Sequence, residues 1–123
     1  MNYKTRISIV MIIIVFFTAS IPLFSQVYGR LEVKNGGLYG RGVGRYVQLK
    51  GMSSHGLQWF PWCSTTVKYL ARDWNCTVVR AAMYTKEGGY IDDPSVKYEV
   101  EKIVEAAIYN GIYVIIDWHV LND

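Results

Sequence analysis

The sequence predicts an α/β fold built on a parallel sheet, and three observations carry that reading. Short stretches rich in β-branched residues alternate with amphipathic stretches of helical length. The last short stretch, Ile112 to Ile116, is apolar without alternation, as expected of a strand covered on both faces of a parallel sheet. Polar and aromatic residues gather just where these strands end, which is where parallel α/β folds of both the open and the closed kind place their chemistry.

The chain opens differently. Lys4 and Arg6 precede an apolar run from Ile7 to Phe17, followed by small and polar residues and Pro22. That is the layout of a secretory signal peptide. The run falls short of the roughly 20 residues a bilayer-spanning helix needs; an uncleaved anchor that includes Ile21 to Phe24 is the alternative. Cleavage after Ser25 is preferred, with Thr18 and Ser20 as a competing pair of small residues. Residues 1–25 are therefore read as the signal and 26–123 as the exported part, secreted and free of the membrane once cut.

The 123 residues carry 13 Lys and Arg against 10 Asp and Glu. Removing Lys4 and Arg6 leaves a nearly neutral chain with no basic stripe, which argues against a nucleic-acid partner. Two Cys and two His at these spacings match no zinc pattern, so no metal and no cofactor is expected. Export invites a disulfide between Cys63 and Cys76. The intervening segment reads as a helix, however, which separates its ends by about 15 Å, whereas a bridge needs Cα atoms within about 7 Å. Free or otherwise partnered thiols are expected. Asn75-Cys76-Thr77 is formally a glycosylation sequon.

From Leu31 to Lys50 the chain reads as short extended pieces, with Asn35-Gly36 as a hairpin turn. Gly40, Gly42 and Gly44 do not form a dinucleotide loop, because such a loop opens a helix and here the strand-like Tyr46 to Met52 follows. A loop from Ser53 to Cys63 leads to a helix with Ser64 or Thr65 as its cap. Val67, Leu70, Ala71 and Trp74 form its apolar face. Thr77 to Met83 is the next strand and carries Arg80. A loop through Gly88-Gly89 then reaches Asp93-Pro94, which caps and starts the second helix.

In that helix Val96, Val100, Ile103, Val104, Ala107 and Ile108 repeat with helical period. Lys97, Glu99, Glu101, Lys102 and Glu105 fill the solvated side. Asn110-Gly111 stops the helix, and the strand Ile112 to Ile116 follows. The order hairpin, β, α, β, α, β implies right-handed crossovers and a parallel sheet. A doubly wound sheet and a closed barrel both satisfy it. Either needs more strands than this chain supplies, so the chain reads as part of a larger domain.

The residues at the strand ends are His55 and Trp59, then Arg80 and Tyr84, then Asp117, Trp118 and His119. Aromatic planes beside hydrogen-bonding groups suit a sugar, whose ring faces are apolar and whose edges are hydroxyls. Taken singly, each has an ordinary alternative: Trp59 or Trp62 as a packed loop aromatic, His55 or His119 as a structural histidine, Arg80 as an ion-pair partner.

Three contiguous runs decide between these readings: Gln48 to Trp59 (QLKGMSSHGLQW), Thr77 to Thr85 (TVVRAAMYT), and Gly111 to Asp123. They resemble the first three strands of glycoside hydrolase family 5, the cellulase-type endo-β-1,4-glucanases, and Gly88-Gly89-Tyr90-Ile91-Asp92 shares in the likeness. The likeness lapses from Phe60 to Ser64, where Pro61, Trp62 and Cys63 occupy the variable first βα loop. The resemblance implies a (β/α)8 TIM barrel, of which this chain holds the hairpin and roughly three βα units. It also implies retaining hydrolysis by two Glu residues, both on later strands. By motif, Arg80 matches the arginine beside the nucleophile, His119 the histidine lining the subsite next to the cleaved bond, Tyr84 a substrate-facing tyrosine, and His55 and Trp59 residues that hold and stack sugars. Asn122 is read as loop support, and Asp117, Glu99, Glu101 and Glu105 match neither catalytic Glu. The expected partner is a β-1,4-linked polysaccharide, met by a monomer. The alternative is a non-catalytic carbohydrate-binding product of a truncated gene.

Overall fold

The computed structural model describes residues 26–121. The signal-like segment 1–25 and Asn122 lie outside the described residues. Nine elements follow in order: β1 Leu31–Lys34, β2 Gly37–Gly40, β3 Arg45–Tyr46, β4 Gly51–Gly56, α1 Ser64–Arg72, β5 Val78–Tyr84, a 3-10 turn Pro94–Val96, α2 Lys97–Tyr109 and β6 Tyr113–His119.

The first three strands form a small antiparallel sheet, and the turn between β1 and β2 has positive φ at Asn35 (46°) and Gly36 (74°). That left-handed pair is what a two-residue hairpin loop demands, and Asn-Gly supplies it with little strain. This sheet sits at the amino end of β6. Val27 N–H donates to Gly111 O at 2.8 Å, Tyr113 Oη donates to Gly29 O, and the Tyr28 and Tyr113 rings stack at 6.3 Å. The hairpin thus closes the end of the sheet opposite to the candidate chemistry.

The second sheet is parallel, in the order β4-β5-β6. Its strand β4 runs four residues further than the sequence suggests, so Ser53 to Gly56 are strand rather than loop. Two contacts hold them there: Ala82 N–H donates to the buried Ser54 Oγ at 2.9 Å, and Leu57 N–H donates to Ala82 O at 3.1 Å. Conversely, Tyr46 belongs to the hairpin, where it pairs with Tyr39.

Both helices cover one face of this sheet. Val79, Ala81 and Met83 of β5 meet Val67 of α1 and Val100, Ile103, Ala106 and Ala107 of α2 in one core. Two positions depart from the expected helical faces. Helix α1 ends at Arg72, so Trp74 lies past it and is exposed; Asn75, with φ 53°, takes the left-handed conformation that turns the chain toward β5. Ile108 lies at the rim of the α2 face and is exposed.

The helix caps also differ in kind. Asp93 Oδ1 accepts from Ser95 N–H at 2.9 Å ahead of the 3-10 turn, as expected. Hydrogen bonds from Ser95 hold the Asp93 carboxyl below the usual carboxylate range, so this cap contributes above that range and is lost as the pH falls through the lowered value. Helix α1 has Cys63 as its N-cap residue, one position before the expected Ser64 and two before Thr65, and its thiol lies 3.4 Å from the Thr66 hydroxyl.

Strand β6 is the outer strand of this sheet, and its exposed residues include both Ile115, on the side of Arg80, and Ile116, on the side of the helices. Ile115 and Ile116 are half exposed, because among the described residues nothing pairs with or packs over its outer side.

Cys63 and Cys76 are free thiols, as the helix between them requires. Cys63 is exposed and its thiol is lowered to about 7, first by the Thr66 hydroxyl 3.4 Å from Sγ and then by the Thr66 N–H. Burial pushes the Cys76 thiol up. Because the thiolate is the nucleophile, Cys63 is expected to alkylate with a half-maximal rate near pH 7, and Cys76 to lag behind it across the neutral range. Mass spectrometry of iodoacetamide-treated native chain against pH checks this; equal labelling of both thiols at neutral pH would contradict the assignment.

Candidate active site

Successive side chains of a strand point to opposite faces. In β5 this turns Val79, Ala81 and Met83 toward the helices and leaves Arg80 and Tyr84 on the opposite, concave face. In β6 the register Arg80↔Ile115, Ala82↔Asp117, Tyr84↔His119 sets Asp117 and His119 on that same face. Trp118 falls on the other side, where its ring meets Tyr90 edge-on at 5.3 Å.

Arg80 is the hub. Its NH1 donates to Ser53 Oγ of β4 at 2.7 Å and its NH2 to Asp117 Oδ2 of β6 at 2.6 Å. The same NH2 lies 3.0 Å from His119 Nδ1, and Asp117 Oδ2 lies 3.0 Å from that nitrogen too. These are short, charge-assisted contacts among side chains only a quarter to a third exposed. Each such bond contributes on the order of 1.5–3 kcal/mol, and together they fix the guanidinium plane.

Above the hub the aromatic residues converge. Tyr84 and His119 rings are 4.4 Å apart, Trp59 and Tyr84 4.9 Å, and His55 lies 5.3 Å from Trp59, 5.6 Å from Phe60 and 6.0 Å from Tyr84. The cluster packs directly on backbone at Gly56. A Cβ there would stand 2.9 Å from Trp59 Cε3 and 3.0 Å from Tyr84 Cδ2, so only glycine lets the rings close over the strand end. Beneath them the Gln58 amide is buried with neither polar atom hydrogen-bonded among the described residues.

The structure therefore brings His55, Trp59, Arg80, Tyr84 and His119 onto one face. The sequence reading assigned no role to three further members. Ser53 stands within the run Gln48 to Trp59, Phe60 within the loop that leads to Cys63, and Asp117 matches neither catalytic Glu. Period two was the available signal: Ser53 alternates with His55, and Asp117 with His119.

Among the described residues the larger cavity, about 960 Å³, lies elsewhere, between α1 and α2, and touches Cys63, Lys68 and Lys102. It contains none of the converging aromatic and charged groups. A smaller hollow of about 70 Å³ adjoins Tyr84 and His119. It shares Tyr84 and His119 with the converging groups and is otherwise lined by Thr85, Lys86, Glu87 and Leu121. No group of three or more His, Cys, Asp or Glu among the described residues is arranged to hold a metal ion.

Comparison with known proteins identifies the family. Residues 39–123 match the model of the family described as cellulase (glycosyl hydrolase family 5). Endoglucanase A of Evansella cellulosilytica is 65% identical over 79 residues, 63% of this chain and 16% of that protein. Endoglucanase N of Pectobacterium atrosepticum is 46% identical over 100 residues, 80% of this chain and 22% of that protein. The chain thus spans less than a quarter of either relative. Among solved structures, the catalytic domain of a Thermobifida fusca endoglucanase superposes with TM-score 0.71 at 37% identity, over 76% of this chain and 32% of that one. A variant of that enzyme, matched equally well, was solved in complex with cellotetraose.

Proposed function

Because the chain belongs to the cellulase family, glycosyl hydrolase family 5, and supplies the opening part of its (β/α)8 barrel, we propose that it forms the first three βα units of a secreted enzyme that cleaves internal β-1,4 bonds of cellulose or a related β-glucan. The observation that carries this reading is the concave face itself. A fixed guanidinium and a histidine lie directly below four aromatic rings, and that pairing offers charge at a bond and stacking for the sugars that flank it.

The mechanism that fits is retaining hydrolysis. One Glu protonates the leaving oxygen while a second attacks the anomeric carbon, with the carboxyls about 5 Å apart. Both lie beyond this chain on this reading, because every described Glu stands on the hairpin, a loop or α2, not at a strand end of the parallel sheet. What the chain's own residues do is orient and bind. Arg80 presents a permanent positive charge that favours the ionised form of a carboxylate set beside it. His119 lines the reacting subsite, Tyr84 faces the substrate, and His55 and Trp59 stack the sugars further out. The cellotetraose bound to the related T. fusca enzyme supports a β-1,4-glucan as the substrate class. The charged Arg80 site favours this catalytic reading over a non-catalytic binding relic, since stacking alone would not need a guanidinium tied to three groups.

Secretion follows from the first 25 residues. Sequencing the amino terminus of exported protein is expected to find a start between Ser20 and Gly29, whereas Met1 retained in the membrane fraction would refute cleavage.

Arg80→Lys in the full-length enzyme is expected to lower turnover on cello-oligosaccharides by about 100-fold or more while changing their affinity far less. A point charge on a flexible stem does not replace a planar fork held to Ser53 and Asp117. Turnover equal to the parent's would reduce Arg80 to a structural ion pair.

Residues 26–123 alone are expected to lack glycosidase activity and stable structure. Both reacting carboxyls are absent on this reading, and the half-exposed Ile115 and Ile116 leave β6 as a bare apolar edge, which invites aggregation. Amide exchange and a carboxymethylcellulose assay check this. A soluble, protected fragment that releases reducing sugars would overturn the placement of the catalytic groups.

A further inference from the structure

Three polar atoms beneath the aromatic cluster stand in a closed triangle: Arg80 NH2 to Asp117 Oδ2 at 2.6 Å, Arg80 NH2 to His119 Nδ1 at 3.0 Å, and Asp117 Oδ2 to His119 Nδ1 at 3.0 Å. A neutral imidazole carries one ring proton, and Nδ1 is either donor or acceptor. The guanidinium does not lose its protons. An N–H of Arg80 aimed at Nδ1 therefore requires a lone pair there. Asp117 Oδ2 has a lone pair to spare for a proton on Nδ1, but of the two approaches to Nδ1 only the one from the guanidinium has the direction of a hydrogen bond; the carboxylate is near Nδ1 without being aligned with it.

From this we infer that Asp117 is a positioning residue. By anchoring the Arg80 guanidinium, with Ser53 as the second anchor on β4, it makes NH2 the donor to His119 Nδ1 and so fixes the neutral histidine with its proton on Nε2. Tyr84, 4.4 Å from the His119 ring, braces the ring. Register adds to the case, since Asp117 and His119 are two residues apart on one face of β6 and Arg80 stands on the neighbouring strand. His119 then presents an N–H donor on the edge turned away from the guanidinium. That donor suits a hydroxyl oxygen of a bound sugar; this last role, and only this, rests on the glycosidase reading.

The test is long-range proton–nitrogen NMR on the full-length protein labelled with nitrogen-15 histidine, at about pH 8, above the ordinary histidine range. His119→Gln identifies the signals. The expected result is a pyridine-type Nδ1 and a pyrrole-type Nε2 for His119. In Asp117→Asn both shifts are expected to move toward the averaged values of a mixed tautomer, and turnover on cellohexaose to fall by about 100-fold with little change in KM. A pyrrole-type Nδ1 in the parent, or an unaltered tautomer in the folded variant, would overturn the proposal. Ser53→Ala removes the other anchor and serves if Asp117→Asn does not fold: the His119 shifts are expected to move toward the same averaged values, and a tautomer left unaltered there counts equally against the proposal. A parent with the expected tautomer that cleaves no β-glucan would uphold the positioning role and remove the glycosidase reading.

Discussion

The guanidinium of Arg80 ties the three parallel strands together, and the rest of the concave face is arranged around it. It projects from the middle strand and donates to Ser53 on one neighbour and to Asp117 on the other. A charged group taken even partly out of water costs free energy unless each donor finds an acceptor. The flanking strands therefore offer it an oxygen each: Ser53 at the position paired with Arg80 on β4, and Asp117 two residues beyond the paired Ile115 on β6, while the helix-facing row of β5 carries Val79, Ala81 and Met83. The charge is also what makes the face more than a packing surface, since no apolar residue at this position could orient a histidine.

That hub explains why the aromatic rings sit where they do. Tyr84 follows Arg80 by four residues on β5, and His119 is paired with Tyr84 in register, so a ring from each strand lies above the polar triangle. Trp59 and His55 arrive from β4 and the turn beyond it, and they reach Tyr84 only because Gly56 leaves no Cβ between them. The irregular register between Ser53 and Gly56 belongs to the same adjustment. It lets Ser53 serve the guanidinium while Ser54 turns inward to Ala82 N–H.

Much of this was legible in the sequence because the signals were local. Asn35-Gly36, Asp93-Pro94 and Asn110-Gly111 each name a backbone conformation, and each forms as expected. The parallel order followed from helix-length spacers between apolar strands. Less legible were features set by contacts from distant residues. Strand β4 continues through Ser53-Ser54-His55-Gly56 because Ala82 supplies its partners, and nothing in that small, polar run announces a strand. Trp74 fits the periodicity of α1, yet the helix has already ended and Asn75 has turned the chain. Asp117 matches neither catalytic Glu and its neighbours in sequence name no partner for it; its partner is a cation 37 positions away.

The same carboxylate bears on how reaction and orientation are divided. An attacking carboxylate needs a free oxygen and an open approach, and Asp117 Oδ2 is held at 2.6 Å by a guanidinium and lies beside an imidazole nitrogen. Those contacts occupy the oxygen that an attack on an anomeric carbon would need. On the proposed reading, then, the acid on β6 and the acids that cut the bond are different groups with different surroundings: one is tied to a guanidinium, while of the other two one passes its proton to the leaving oxygen and the second bonds to the anomeric carbon. Placing the bound one two residues before His119 couples the orientation of the ring to the charge of Arg80. The chain's first strands can thus settle the geometry of the reacting subsite before any reacting group is added.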